Sequence, residues 1–155
     1  MRTLDELIGD SPVFAGLDPR HLELIAGCGR NDHVAAGAYL FREGGNADRF
    51  FLIREGGIAL EVDAPGRGAL VIETLHAGDV VGWSWLFAPY RWQFDGRAVE
   101  ASRLVAFDGR CLRDKCEADH ELGYQLMRRF AATAVARLQA TRLQLLDVYG
   151  NPGAR

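Results

Sequence analysis

The sequence predicts a mainly β fold with flanking helices: an antiparallel β-roll of the jelly-roll (double-stranded β-helix) type, two short N-terminal helices and a long C-terminal dimerisation helix. Two observations support this prediction. Short apolar runs separated by glycine-containing turns occupy residues 34–108, a pattern typical of compact antiparallel sheets. From residue 119 to about 149 the apolar residues instead recur at helical spacing, which predicts one continuous helix.

Two helices are predicted before the first strand. Leu4, Leu7 and Ile8 recur at helical spacing. The second helix has a clearer start, because Asp18 can cap its N-terminus and Pro19 suits its first position. Asp119 is the corresponding N-cap candidate for the long helix.

The predicted strands are short apolar runs bounded by turn residues. They lie at 39–41, 50–53, 58–62, 70–73 and 104–107. Glycine-containing turns separate them around 43–46, 55–57, 63–66 and 77–79.

Bulk composition limits the classes of function. The chain has 155 residues, 48% of them hydrophobic and 25% charged, which fits one globular domain, expected over 1–150, with a disordered tail at 151–155. A net charge of -3 argues against direct binding to nucleic acid. No apolar run reaches the roughly 18 residues of a membrane span, and we expect a cytoplasmic protein without membrane contact.

The three cysteines, an odd number, are expected to be reduced.

The long helix carries an apolar seam whose positions step alternately by four and three residues, as in a coiled coil. The seam comprises Met127, Ala131, Ala134, Leu138, Thr141, Leu145 and Val148. It predicts a homodimer. A second apolar set, expected to face the chain's own β-domain, comprises Leu122, Leu126, Phe130, Val135 and Leu146. The alternative is one wide apolar face packed entirely on the sheet.

Several motifs occur in a characteristic order along the chain. They are F-A-G-L at 14–17, L-F-R-E-G at 40–44, F-L-I-R-E-G at 51–56, G-D-V-V-G at 78–82, M-R-R at 127–129 and A-R-L-Q-A-T at 136–141. In this order the chain resembles, over nearly its whole length, the cyclic nucleotide-binding sensor domain of the cyclic-AMP receptor (catabolite activator) and fumarate-nitrate regulator family.

The resemblance implies a phosphate-binding cassette that is incomplete in this chain. In ligand-binding members a Gly-Glu pair opens a short helix that holds the ribose and cyclic phosphate, and an arginine neutralises the phosphate. Here Gly82 is followed by Trp83, whose indole can only donate a hydrogen bond. Asp95 stands where the arginine is expected. We therefore expect that the chain does not bind cyclic AMP in the usual way.

The candidate pocket retains other groups that could hold a ligand. Arg97 lies two residues beyond Asp95 and so on the same strand face, and Arg91 in the preceding loop is a second cation. Thr141 matches a family position near the nucleobase, or is only a small seam residue. The predicted ligand-binding set is Gly82, Trp83, Ser84, Trp85, Arg97, Ala98 and Thr141. A cyclic nucleotide, cyclic AMP or cyclic GMP, is one candidate ligand and another planar or anionic molecule is the alternative; no other cofactor is predicted.

Six aromatic residues crowd the segment after Gly82. They are Trp83, Trp85, Phe87, Tyr90, Trp92 and Phe94. They could stack a planar ligand or anchor a partner protein, since Trp and Tyr dominate such contacts. They could equally fill the pocket that a nucleotide occupies in relatives.

Metal and catalytic chemistry find little support in the sequence. Cys111, Cys116 and His120 have a spacing poorly suited to a zinc site and no evident fourth ligand. No nucleophile elbow and no phosphate-binding loop with a lysine is present. We expect neither a metal site nor an enzyme.

Three functional hypotheses remain. The first is a stand-alone regulatory domain with a degenerate cassette that acts through an unknown protein partner. The second is a true sensor of a planar or anionic ligand using Trp83 and Arg97. The third is a transcriptional regulator that has lost its DNA-binding domain or works with a separate one, since family regulators carry a winged helix after the long helix and this sequence ends at residue 155.

Overall fold

The computed structural model describes the backbone of residues 3–150 and the side chains of residues 3–147. Its helices are α1 (Leu4–Gly9), α2 (Pro19–Ala26), α3 (Gly109–Ala118) and α4 (His120–Gly150), with a short 3₁₀ helix at Ser84–Leu86. Its strands are β1 (Gly29–Val34), β2 (Tyr39–Phe41), β3 (Arg49–Glu55), β4 (Gly57–Ala64), β5 (Gly68–His76), β6 (Val80–Val81), β7 (Asp95–Ala98) and β8 (Ser102–Asp108). The predicted tail at 151–155 lies outside the described residues.

The strands form two four-stranded antiparallel sheets. One sheet has the order β1-β8-β3-β6 and the other β2-β7-β4-β5. Together with the flanking helices they form the predicted mainly β roll, and the fold class is confirmed. At the β3–β4 junction Gly56 has φ +105°, and a Cβ there would lie 2.2 Å from Oγ of Ser102. Only glycine fits this turn.

The helix starts follow the predicted capping residues. The Asp18 carboxylate accepts a hydrogen bond from the Arg20 amide at 2.9 Å, with Pro19 in the first turn of α2. The Asp119 carboxylate accepts from the Leu122 amide at 3.2 Å. This bond, together with the one from the Arg20 side chain, lowers the pKa of Asp119. Both N-cap predictions are confirmed.

Two hydrophobic cores stabilise the roll. The first packs one face of the β1-β8-β3-β6 sheet against the helices, and at its centre the aromatic rings of Phe14, Phe50, Phe107 and Phe130 are fully buried. The second lies between the two sheets and includes Phe41, Phe51, Ile58, Leu75 and Trp92. The candidate site lies where these two cores meet.

The expectation that all three cysteines are reduced is wrong for two of them. Cys28 and Cys111 form a disulfide although they are 83 residues apart, with Cα atoms separated by 5.9 Å. The fold brings the end of α2 against the first turn of α3, a proximity that counting cysteines cannot reveal. Cys116 is a free thiol, and burial raises its pKa to about 11.

Helix α4 buries its apolar side chains in its own domain only over its first half, whereas its second half contacts β5 through polar side chains. Leu122, Leu126 and Phe130 are fully buried, as expected for the set facing the β-domain. Val135 and Leu146 of the same set are instead more than half exposed. The large exposed apolar side chains of α4 include Met127, Val135, Leu138, Leu143, Leu145 and Leu146. The second half of α4 therefore presents an uncovered apolar surface.

The seam residues have unequal surroundings. Ala131, Ala134 and Thr141 are partly buried, whereas Leu138 is 67% exposed. The side chain of Val148 lies outside the described residues. Between residues 3 and 150, no helix is both long and apolar enough to cross a bilayer.

Candidate functional site

The cassette begins at a backbone bend that glycine allows. Gly82 follows β6 with φ +99°, a left-handed conformation that other residues rarely adopt. The chain then enters the 3₁₀ helix Ser84–Leu86, before which Trp83 provides no side-chain cap. A single 3₁₀ turn of three residues aligns few peptide dipoles, so its N-terminus attracts an anion less than that of a long α-helix.

An aromatic layer fills the space beside Gly82. A Cβ on Gly82 would lie 2.7 Å from Cζ3 of Trp92. Trp92 is 7% exposed and stacks on Phe41 with ring centroids 3.8 Å apart. Phe41 in turn covers Gly96, where a Cβ would lie 2.6 Å from the Phe41 ring. The roll interior next to the cassette is therefore occupied by Trp92 and Phe41.

Asp95 is used to hold a neighbouring turn. Its carboxylate accepts a hydrogen bond from the Glu43 amide at 2.7 Å and one from Nε of Arg42 at 3.3 Å. These bonds link the start of β7 to the turn after β2. They also keep a negative charge at the position where relatives are expected to place a cation.

Arg97 is bound to a buried carboxylate. Its Nη2 donates to Oε2 of Glu61 at 2.7 Å, and its Nε lies 3.1 Å from Oε1. The Glu61 side chain is only 3% exposed, whereas that of Arg97 is 34% exposed. Hydrogen bonding to Glu61 raises the pKa of Arg97. Such a bidentate pair commits the guanidinium to the protein.

A solvent-open cavity of about 430 Å³ lies between the cassette and α4. It is lined by Trp83, Ser84, Phe87, Ala88, Pro89, Arg91, Gln93, Ala131, Ala134 and Val135. Arg91 is the charged group of this lining, and its Nη1 donates to the Gly44 carbonyl at 3.4 Å. Trp83 is held edge-on against Phe94, with centroids 5.2 Å apart. The structure thus brings Trp83 and Ser84 together with Arg91, and Arg97 is not part of this lining.

The remaining predicted site residues lie elsewhere. Trp85 is fully buried between Phe50 and Phe130, and its indole Nε1 has no hydrogen-bond partner among the described residues. Ala98 is fully buried in the roll interior. Thr141 donates its hydroxyl to the Arg137 carbonyl of its own helix at 2.9 Å.

A link between α4 and the β-roll was missed by sequence reasoning. Nη1 of Arg137 donates to Oε2 of Glu73 at 2.8 Å, and the Arg137 side chain is only 11% exposed. Nε2 of Gln144 donates to the Val71 carbonyl at 2.8 Å. Both bonds tie α4 to β5. The nearest sequence signal was the A-R-L-Q-A-T motif, which contains Arg137 but does not indicate its partner.

Metal ligation has no geometric support in the described part of the chain. Across residues 3–147, no group of three or more His, Cys, Asp and Glu side chains could hold a metal ion. Cys111 of the C-x4-C-x3-H pattern is instead in the disulfide.

A family model described as "Cyclic nucleotide-binding domain" matches residues 31–119. An uncharacterized protein of Mycobacterium tuberculosis (strain H37Rv) is 35% identical over 102 residues, which cover 64% of this chain and 19% of that protein. The chain therefore spans about a fifth of the length of this relative.

Solved structures share the fold. A protein from Geobacter metallireducens named as a cyclic nucleotide-binding protein is 30% identical, with a TM-score of 0.77 over 89% of this chain and 99% of that one. The catabolite activator protein of Thermus thermophilus is 21% identical, with a TM-score of 0.71 over 90% of this chain and 63% of that one.

Proposed function

This chain belongs to the cyclic nucleotide-binding domain family, and from that premise we propose that it is a regulatory module whose cassette does not hold a cyclic phosphate in the family's usual way. The domain proposed to carry this role spans residues 1–150. The observation that supports the proposal best is the packing of Trp92 against Gly82. The Trp92 ring closes the side of Gly82 on which a Cβ would lie, and we propose that it crowds a phosphate held by the backbone there.

The electrostatics of the neighbourhood support the same proposal. A phosphate in a largely buried site needs a cation or several amide donors to offset its lost hydration. Asp95 places a carboxylate at the expected arginine position, and the guanidinium of Arg97 is engaged by Glu61. A cyclic phosphate would therefore meet a filled and electrostatically unfavourable site.

The output of such a module is proposed to pass through protein contacts. Among the exposed apolar side chains of α4, those of Leu138 and Leu145 are more than half exposed. Apolar surface of this kind is stabilised by covering it. We propose that the seam from Met127 to Val148 forms a homodimer. A separate protein partner is proposed to receive the signal. Catalysis has no part in this proposal.

Isothermal titration calorimetry with cyclic AMP and cyclic GMP tests the proposal. We expect no binding with a dissociation constant below about 1 mM, equivalent to less than about 4 kcal/mol of binding free energy. Low-micromolar binding would overturn the proposal. In that case Arg97→Ala would show whether the Arg97 guanidinium holds the phosphate.

A second candidate function is the sensing of a planar anionic ligand. The cavity beside α4 favours it, because Trp83 offers an aromatic face, Ser84 a hydroxyl and Arg91 a cation in one lining. The hypothesis from the sequence used Arg97 as the cation; we propose Arg91 instead, because Arg91 lines this cavity and Arg97 does not.

Fluorescence titration with 8-anilinonaphthalene-1-sulfonate, a planar anion, tests this second candidate. Binding should weaken about tenfold in Arg91→Gln, as expected for losing one charged hydrogen bond. It should also weaken in Trp83→Ala. Arg67→Gln, in the exposed β4–β5 turn, is the matched control. Equal affinity in all variants would remove the cavity as a site.

A further inference from the structure

Three arginines line a second cavity, which shares no lining residue with the one beside Trp83. The cavity has a volume of about 560 Å³ and is open to solvent. Arg30 comes from β1, Arg49 from the first residue of β3 and Arg110 from the first turn of α3. This volume lies within the range of roughly 300–1,000 Å³ that is usual for small-molecule sites.

Sheet topology explains why these residues meet. Strand β8 lies between β1 and β3, with Arg30 opposite Ala106 and Arg49 opposite Asp108. The two arginines therefore flank the end of β8 from either side. Arg110 follows the same strand by two residues and adds a third guanidinium at this end.

The three guanidinium groups have no carboxylate partners among residues 3–147. None of them takes part in the ion pairs of that region. Arg49 lies over the ring of Phe51, with its Cζ 5.4 Å from the centroid. Two acids, Asp48 and Asp108, also line the cavity, so its lining carries a formal net charge of +1. The Asp108 carboxylate accepts from the Cys111 amide at 3.0 Å as the cap of α3. Unpaired like charges at one cavity raise its positive potential.

The walls of the cavity are fixed by covalent and hydrogen bonds. The disulfide between Cys28 and Cys111 joins two lining residues. The Asp108 amide donates to the Cys28 carbonyl at 2.9 Å, and the Gly109 amide donates to the Asp48 carbonyl at 2.8 Å. A rigid frame of this kind lowers the entropic cost of holding a ligand.

We propose that this cavity is a binding site for a compact polyanion, a small molecule bearing phosphate or carboxylate groups. Guanidinium groups bind such oxygens in pairs of parallel hydrogen bonds. Three of them on a fixed frame match a ligand with at least two negative charges. The site is separate from the cassette and does not depend on what the cassette binds.

Calorimetric titration of the full chain with inorganic pyrophosphate and with citrate tests the proposal and separates the two ligand chemistries. We expect at least one of them to bind more tightly than 1 mM, with affinity falling as salt is added. Arg30→Gln, Arg49→Gln and Arg110→Gln should each weaken that binding about tenfold.

The controls are Arg67→Gln and Arg142→Gln, which remove the same charge at exposed positions away from the cavity. Thermal melts of all five variants establish that they are folded. The proposal is overturned if neither anion binds below 1 mM. It is equally overturned if the three cavity variants keep the wild-type affinity, or if the two controls lose as much affinity as they do.

Discussion

At the scale of single residues, the contact between Trp92 and Gly82 decides what the cassette can accept. The indole lies within 2.7 Å of where a Cβ on Gly82 would be, and it stacks on the ring of Phe41. Because protein interiors are close-packed, a ligand could enter only if both rings moved. The aromatic residues after Gly82 therefore lie in different places. Trp85 and Trp92 are buried in the two cores, whereas Trp83 and Phe87 line the cavity beside α4.

The pair between Arg97 and Glu61 gives a prediction about stability. Arg97→Met should lower the midpoint of thermal unfolding by several degrees, because it leaves the buried Glu61 carboxylate without its partner. The double variant Glu61→Leu/Arg97→Met should recover most of that loss, since it removes both charges.

Differential scanning calorimetry measures these midpoints. Arg103→Met is the matched control, because Arg103 and Glu55 form a pair 3.9 Å apart in which both side chains are largely exposed, and such pairs contribute little. A single variant as stable as the double variant would contradict the role assigned to Arg97.

Individual residues were predictable where the signal was local. The caps Asp18 and Asp119 act within three residues of themselves, so the sequence reveals them. The partner of Arg97 was not predictable, because Glu61 lies 36 residues away. The pairing of Arg97 with Glu61 depends on the register between β4 and β7, in which Glu61 lies opposite Asp95. A single sequence does not provide this register.

At the scale of elements, the disulfide joins α3 to the end of α2. It closes a loop with a sequence separation of 83 residues, for which the chain-entropy model gives a stabilisation of about 4 kcal/mol. Chemical denaturation with and without a reductant should show a loss of that order. The double variant Cys28→Ser/Cys111→Ser should reproduce it without reductant.

Cys116→Ser is the control for the disulfide, because Cys116 is outside the bond. This variant should keep the reductant-dependent loss of stability. In the wild-type protein, the raised pKa of Cys116 implies slow alkylation of its thiol at neutral pH, since the thiolate is the reactive form. If the free energy of unfolding of the wild-type protein were the same with and without reductant, the disulfide would be contradicted.

The exposed half of α4 predicts a dimer. Leu138→Asp and Leu145→Asp should each convert the protein to a monomer, because a charge in an apolar seam has no partner there. Multi-angle light scattering at tens of micromolar protein measures the mass directly. Gln139→Asp, at an exposed polar position of α4, should leave the dimer intact. A wild-type protein that is monomeric at this concentration would contradict the prediction that the seam forms a dimer.

The elements themselves differed in how far they could be predicted. Apolar runs gave β2, β3, β4, β5 and β8 to within a few residues. Strands β1 and β7 were not among those runs, because G-R-N-D-H-V and D-G-R-A contain few apolar residues. Long-range pairing with β8 and β4 makes them strands, and tertiary context of this kind overrides local propensity.

At the scale of the whole molecule, the chain keeps the family's fold, and we propose that its cassette is occupied by its own aromatic side chains. One of the two cores lies between a sheet and the helices. The other fills the interior of the roll. Helix α4 is tied to the roll by the bond between Arg137 and Glu73. The second half of α4 is therefore in direct contact with strand β5 of the roll.

Nuclear magnetic resonance titration with cyclic AMP tests the central claim most directly. The two informative signals are the backbone amide of Gly82 and the indole N–H of Trp92, because the benzo edge of the Trp92 ring packs against Gly82 and displacing that ring would change the surroundings of both groups. We predict that neither signal moves when cyclic AMP reaches millimolar concentration. Saturable shifts of both signals at micromolar cyclic AMP would contradict the claim, since they would show that the nucleotide displaces Trp92 and occupies the cassette.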